Sequence, residues 1–261
     1  MKNLGVIPAR YHSTRLAGKV LLPVGGKPLV QHVYEKACRS ERLEEVWIAT
    51  DDQKVQEAAK RFGATCLLTD PSHRSGTDRI AEVVSEVAVE RVVNIQADEP
   101  LLEPSMIDIL LEGMEKDPSI QMATLCHAIL NEQDFANPNV VKVVRDRRGD
   151  ALYFSRHPIP YVRSFDMAQD RSKSGERSRT LLDSDPQTPW LKHIGIYAYT
   201  KSFLSVWRKF SPTPLERLEG LEQLRVLEHG IRIRVFDSPY ETLGVDTMED
   251  LERVRRVLEK S

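Results

Sequence analysis

Short apolar blocks alternate with segments of helical spacing, and this alternation constrains the chain more than any other feature. Leu4, Val6 and Ile7 open the series; further blocks follow at 46–48, 64–68, 92–95, 122–129, 140–144 and 194–199, with helix-like segments between them in the first half. The pattern predicts an α/β fold, a mostly parallel sheet flanked by helices. In such sheets ligands gather beyond the carboxyl ends of the strands, so the residues that follow each block are where chemistry is sought.

Helix punctuation agrees. Pro28 lies at a first-turn position ahead of Leu29, Val30, Val33 and Ala37; Asp51 is expected to cap a helix over 52–62 that Gly63 ends; Pro104 opens one over 105–116. Thr247 precedes Leu251, Val254, Val257 and Leu258 at helical spacing, a capped helix with an apolar packing stripe. Over 214–230, Leu215, Leu218, Leu221, Leu224 and Leu227 recur every three residues, a row that drifts across about 240° of a single helix. So wide a row implies two apolar contacts: a helix buried on several sides of one subunit, or one face at a subunit interface. Glu216, Gly220 and Gln223 share a remaining face, open to solvent or to a polar ligand.

Charge and cysteine usage narrow the function class. With 37 Lys and Arg against 39 Asp and Glu in 261 residues, the net charge of −2 argues against a general nucleic-acid or membrane-surface binder, so any anion site is local. No stretch approaches the roughly 20 apolar residues of a membrane span, and the opening residues lack the pattern of a signal peptide. Cys38, Cys66 and Cys126 are far apart and set among apolar neighbours, which suits reduced thiols packed as small hydrophobes in a cytoplasmic protein. Residues 166–189 are rich in Ser, Asp, Arg and Gln with almost no apolar periodicity, and a long mobile loop is expected there. Its Arg171, Lys173, Arg177 and Arg179 are offset by Asp166, Asp170, Glu176, Asp183 and Asp185, so a solvated loop is the plainer reading than an anion lid.

The stretch IPARYHSTRLAGK, residues 7–19, strings Arg10, Arg15 and Lys19 through a loop behind the first strand. Arg presents a planar fork of donors suited to phosphate oxygens, and Lys a compact charge for a leaving pyrophosphate. Gly18 lets the backbone turn closely around such a group; an ordinary cationic surface loop is the competing reading. It is not a Walker A loop, which needs GxxxxGK[ST], and no GxGxxG follows the strand to suggest a dinucleotide fold. In VVNIQADEP, 92–100, a buried strand runs into Asp98 and Glu99; in LGVDT, 243–247, Asp246 follows an apolar step and precedes a helix. Strand-end carboxylates suit Mg²⁺, which takes oxygen ligands and keeps water and substrate phosphate as other partners. Each Asp taken alone is equally a helix cap. SHRSGTDR, 72–79, reads either a base edge or makes a turn and cap, and His193 in KHIGIYAY reads as a satisfied structural histidine.

Together with GGKPLVQHVYE, ATDD, NPNVVKVV, ALYFSRHPIPY, PTPLERLEGLEQLRVLEHG and GVDTMEDLERV, in this order and over nearly the full chain, these stretches resemble the 3-deoxy-manno-octulosonate cytidylyltransferase family, the CMP-KDO synthetases. The resemblance implies one nucleotidyltransferase domain over 1–261 of the nucleotide-diphospho-sugar transferase type, with a smaller sugar-binding and dimerisation lobe at about 130–235, and a homodimer. It implies that CTP and KDO react to CMP-KDO and pyrophosphate for lipopolysaccharide biosynthesis. Arg10, Lys19, Asp98 and Asp246 would be catalytic, with Mg²⁺ on Asp98 and Asp246. Arg10, Ser13, Arg15 and Lys19 would clamp the triphosphate, and Ser75, Gly76, Thr77 and Gln96 would lie by the cytidine. Arg156, His193, Tyr197, Glu216 and Gln223 would contact the sugar acid.

The chain departs from the family pattern at Ala17, where Pro is usual, and at Ala97, where Gly is usual. A methyl at Ala97 is expected either to crowd the nucleotide beside Asp98 or to require a less permissive backbone angle. The segment 166–189 is longer than the family leads one to expect. A cytidylyltransferase for another acid sugar, sialic acid or an amino-modified KDO, shares the CTP end; a nucleotide-binding module without turnover is the alternative from a different class.

Overall fold

The structure, a computed structural model, describes residues 2–12, 16, 18–73, 75–161 and 190–258. The first half contains β1 (Asn3–Pro8), the small hairpin β2 (Pro23–Val24) and β3 (Lys27–Pro28), α1 (Leu29–Ala37), β4 (Glu45–Thr50), α2 (Gln53–Arg61), β5 (Thr65–Leu68), α3 (Gly76–Val83), β6 (Arg91–Asn94) and α4 (Pro104–Lys116). Then come β7 (Met122–Ala128), α5 (Glu132–Ala136), β8 (Lys142–Arg145), β9 (Ala151–Ser155), β10 (Leu191–Thr200) and α6 (Lys201–Trp207). The chain continues through α7 (Pro214–Glu219), α8 (Gln223–Glu228), β11 (Ile233–Asp237) and α9 (Met248–Leu258).

The main sheet runs β11-β7-β10-β6-β1-β4-β5, with β8 on β10 and β9 on β8. β1 is parallel to β4 and β6, β4 to β5, and β7 to β11. β10 is antiparallel to both β6 and β7, so β7 and β11 point the same way as β1. A mostly parallel sheet is what the apolar alternation predicts. Neighbouring residues of one strand enter opposite cores: Leu4 and Val6 pack on one face and Ile7 on the other, and Val92 and Val93 divide in the same way. Burial on both faces explains why these strands read as unbroken apolar runs.

β10 changes partner along its length. Tyr197 to Thr200 pair with β6, Leu191 and Lys192 pair with β8, and the register against β7 shifts between Ile194 and Tyr197. Thr124 Oγ1 fills the irregularity, 2.8 Å from the Ile196 carbonyl and 3.1 Å from that of Ile194. The sheet therefore parts beside Gly195, and a cleft opens where β6 ends.

Three expectations are corrected. Asp52, not Asp51, caps α2 by accepting from the Lys54 N–H, while Asp51 pairs with the buried Arg79 at 2.7 Å. The segment 214–230 is two short helices, because Gly220 adopts φ 62° and ends α7. The leucine row and the shared face of Glu216, Gly220 and Gln223 are thus split across a corner; Leu224 is fully buried while Leu218 is 82% exposed. Cys38 is exposed and only Cys126 is fully packed, although all three thiols are free. The expected mobile loop at 166–189 lies outside the described residues.

Lys142 of β8 is fully buried, its ammonium donating to the carbonyls of Asn137 (2.9 Å), Val140 (2.6 Å) and Arg156 (2.7 Å). Burial lowers its pKa, so these acceptors are what keep the charge tolerable. Lys142→Met fills the space but orphans three carbonyls, an expected loss of about 3 kcal/mol or more. Thermal melting should fall by roughly 6 °C or more; an unchanged melting temperature would refute the role.

Candidate active site

The loop after β1 is closed by Gly18, whose φ of 65° and backbone N–H to the Tyr11 carbonyl (3.0 Å) turn the chain back. A Cβ there would lie 3.3 Å from the Tyr11 ring, and the left-handed backbone disfavours any side chain in any case. Two of the loop's predicted cations fall among the described residues. Arg10 Nη2 donates to the His73 carbonyl at 2.9 Å, and Lys19, nearly buried, reaches the two predicted acids. Ser13, Arg15 and Ala17 lie outside the described residues.

Lys19 Nζ stands 2.6 Å from Asp98 Oδ2 and 3.3 Å from Asp246 Oδ1. The acids are also tied through the backbone, where the Val245 N–H donates to the Asp98 carbonyl at 2.9 Å. Neither acts as the helix cap offered as its alternative. Thr247 caps α9 as expected, its Oγ1 accepting from the Asp250 N–H at 3.2 Å while Asp250 Oδ2 accepts from the N–H groups of Asp246 and Thr247, and α4 begins at Pro104 with Glu103 at its cap position.

Two carboxylates on one ammonium already form a cation site, and the Lys19 charge stands where a metal's charge would be welcome. Among the described residues no cluster of three or more His, Cys, Asp or Glu side chains could hold a metal alone. The donor set therefore fits an ion such as Mg²⁺ that takes one or two carboxylates and leaves its other positions to water and phosphate.

Next to Asp98, Glu99 is half-buried. Burial, then the Asp98 charge, push its carboxyl up to about 8, against a hydrogen bond with Thr242. Between pH 4.5 and about 8 the unfolded chain loses this proton while the folded chain keeps it, so Glu99 contributes stability that falls as pH rises through that window. Melting temperatures from pH 5 to 8.5 should show this slope in the wild type and a flatter one in Glu99→Gln; parallel curves would refute it.

Five predicted residues line one cavity of about 220 Å³: Gly76, Thr77 and Gln96 from the expected nucleotide end, Tyr197 and Gln223 from the expected sugar end. Gly76 opens α3 behind Ser75, whose side chain makes a reciprocal capping box with Asp78. Gln96 Nε2 donates to the Gly195 carbonyl at 3.0 Å, across the place where the sheet parts. Ala97 packs in the core and is not among the residues that line the cavity.

The remaining predicted sugar contacts are not among the residues that line the cavity. His193 meets Thr124 Oγ1 through Nε2 at 2.9 Å and lies edge-on to Phe154; desolvation lowers its pKa to about 3, so it is neutral, as a structural histidine should be. Its ring is 5.3 Å from that of Tyr197. Arg156 donates from Nε to the Glu219 carbonyl (2.7 Å) and from Nη1 to that of Pro138 (3.1 Å). Glu216 forms an ion pair with Arg225 and accepts from the Thr213 N–H at 3.2 Å.

Asn94, Tyr199 and Glu222 also line the cavity and were missed by the sequence reading. Strand periodicity carried the signal for two of them: Asn94 lies two residues before Gln96 and Tyr199 two after Tyr197, hence on the same faces.

The sheet order, with a cationic loop behind β1 and two acids meeting beside it, Asp98 beyond β6 and Asp246 in the coil before α9 rather than at the expected strand end, defines the class: a nucleotidyltransferase. A family model described as Cytidylyltransferase matches residues 4–233. A 3-deoxy-manno-octulosonate cytidylyltransferase from Geobacter metallireducens is 48% identical over 254 residues, covering 97% of this chain and 96% of the relative. One of the same name from Escherichia coli is 44% identical over 97% of this chain and 94% of its own length. A solved structure of CMP:2-keto-3-deoxy-manno-octonic acid synthetase complexed with CTP superposes with a TM-score of 0.87 at 43% identity, over 100% of this chain and 99% of its own. A cytidylyltransferase structure from Leptospira borgpetersenii, 19% identical with a TM-score of 0.63, shares the fold. The chain belongs to the 3-deoxy-manno-octulosonate cytidylyltransferase family.

Proposed function

We propose that this chain transfers a cytidylyl group from CTP to KDO, giving CMP-KDO and pyrophosphate. The convergence of Asp98 and Asp246 on Lys19, beside the loop that carries Arg10, carries the reading. The names of the relatives and the CTP bound in the similar solved structure support the substrates. The KDO anomeric oxygen attacks the α-phosphorus, the bond from that phosphorus to the bridging oxygen breaks, pyrophosphate leaves, and the hydroxyl proton passes to solvent. Such a transfer needs positioning and charge neutralisation more than covalent help. Arg10 and Lys19 neutralise the triphosphate; Gly76, Thr77 and Gln96 face the nucleotide, and Tyr197 and Gln223 the sugar. Asp98 and Asp246 would hold Mg²⁺, which when bound shields phosphate charge and favours ionisation of the attacking hydroxyl.

Purified protein with Mg²⁺, each of CTP, ATP, GTP and UTP, and KDO or sialic acid, followed by pyrophosphate measurement, tests this. Release with CTP and KDO alone is expected; release with sialic acid alone would move the assignment to another acid sugar, and none with any pair would leave a binding module.

The reaction is assigned to lipopolysaccharide assembly in the cytoplasm on the family resemblance; among the described residues no helix is long and apolar enough to cross a membrane. The exposed Leu218 supports the subunit-interface reading of the leucine segment. Light scattering should give twice the chain mass, and a single-chain mass would remove the homodimer.

A further inference from the structure

Arg10 is aimed by a backbone carbonyl, and that carbonyl belongs to a short turn with a clamp of its own. A guanidinium carries five N–H donors. One of those on Arg10 is committed to the His73 carbonyl at 2.9 Å, which fixes the direction of the fork and leaves donors for phosphate oxygens. The turn over 70–73 is drawn together from within, the Ser72 N–H donating to Asp70 Oδ1 at 2.7 Å. Glu82, on the last turns of α3, grips it from outside at both ends: its Oε2 accepts from the Asp70 N–H at 3.0 Å and meets His73 Nε2.

The Glu82 side chain is 39% exposed and buries little apolar surface, so packing gives no reason for this arrangement. Its helix is firmly seated by other means, since the fully buried Arg79, one turn earlier, pairs with Asp51 at 2.7 Å. α3 is thus a fixed post, and Glu82 transmits its position to the turn and from there to Arg10.

We infer that Glu82, acting through His73, is a positioning residue that aims Arg10 at the triphosphate. The inference rests on the proposed role of Arg10 in binding CTP. It makes no use of Glu82 in the chemical step, and none in the sugar end of the site.

A double-mutant cycle tests it on the full chain. Arg10→Ala should raise the KM for CTP by about 10- to 100-fold, the worth of a charged hydrogen-bonding contact. Glu82→Ala should raise the same KM about 10-fold, with the KM for KDO and kcat each within about two-fold of wild type. In the Arg10→Ala background, Glu82→Ala should add less than about two-fold, because the side chain it aims is gone. Glu82→Gln keeps an acceptor for the Asp70 N–H and should lie between wild type and Glu82→Ala. His73→Ala, which keeps the backbone carbonyl but removes the ring, should reproduce the CTP-specific loss; it also serves if Glu82→Ala fails to fold. Independent, multiplicative effects of Arg10 and Glu82 would overturn the inference, as would equal losses for both substrates. No effect of Arg10→Ala on the KM for CTP would instead remove the role of Arg10, and the inference with it.

Discussion

Asp98→Asn should lower turnover by about 10³-fold while leaving the fold in place. The substitution keeps the size of the side chain and removes one charge from the point where Lys19 and Asp246 meet. Val245 is held by the Asp98 backbone carbonyl, not its side chain, so the two acidic segments stay joined in the variant. The loss therefore reads the carboxylate itself. Pyrophosphate release at saturating CTP and KDO over a range of Mg²⁺, with melting temperature as the control, checks this. Near-normal turnover at matched Mg²⁺ would reject the role.

Lys19→Met should be almost as damaging, by about 10²- to 10³-fold in kcat, because a developing pyrophosphate loses a preorganised counter-charge. A second consequence separates Lys19 from an ordinary phosphate contact. Without the ammonium, Asp98 and Asp246 are left as unscreened like charges where Lys19 stood, so the variant should hold a divalent ion at least as tightly as wild type while losing turnover. Lys19→Arg should not restore wild-type behaviour, since a planar fork does not replace a compact ammonium held nearly buried between two carboxylates. Full activity in Lys19→Met would contradict the account.

The sheet was legible because its strands are buried on both faces; Val92 and Val93 enter different cores, and only a run of apolar residues satisfies that. Asp98 was legible as a carboxylate beyond a strand; Asp246, expected at a second strand end, lies instead in the coil between β11 and α9, and their meeting was conditional on topology, 148 positions apart in a chain of 261 residues. What sequence could not supply came from local backbone choices. Periodicity treated 214–230 as one helix because every leucine fits the row, whereas Gly220 in the left-handed region breaks it and sends Gln223 to the cavity while Glu216 turns to Arg225. Asp51 and Asp52 are adjacent acids, either able to cap; the choice was decided by Arg79, a buried cation from another helix that needed a carboxylate. Glu82 carried no signal at all, since its partners are an N–H and a ring of a turn that only the fold brings to it.

The most direct test is a crystal structure of this chain with Mn²⁺ in place of Mg²⁺ and a CTP analogue that cannot release pyrophosphate, with the metal located by its anomalous scattering. The account predicts one peak shared by the Asp98 and Asp246 carboxylates and the nucleotide phosphates, with Arg10 and Lys19 on the triphosphate. A nucleotide bound with its metal touching neither carboxylate, or with its triphosphate away from the loop of Arg10 and Lys19, would contradict it.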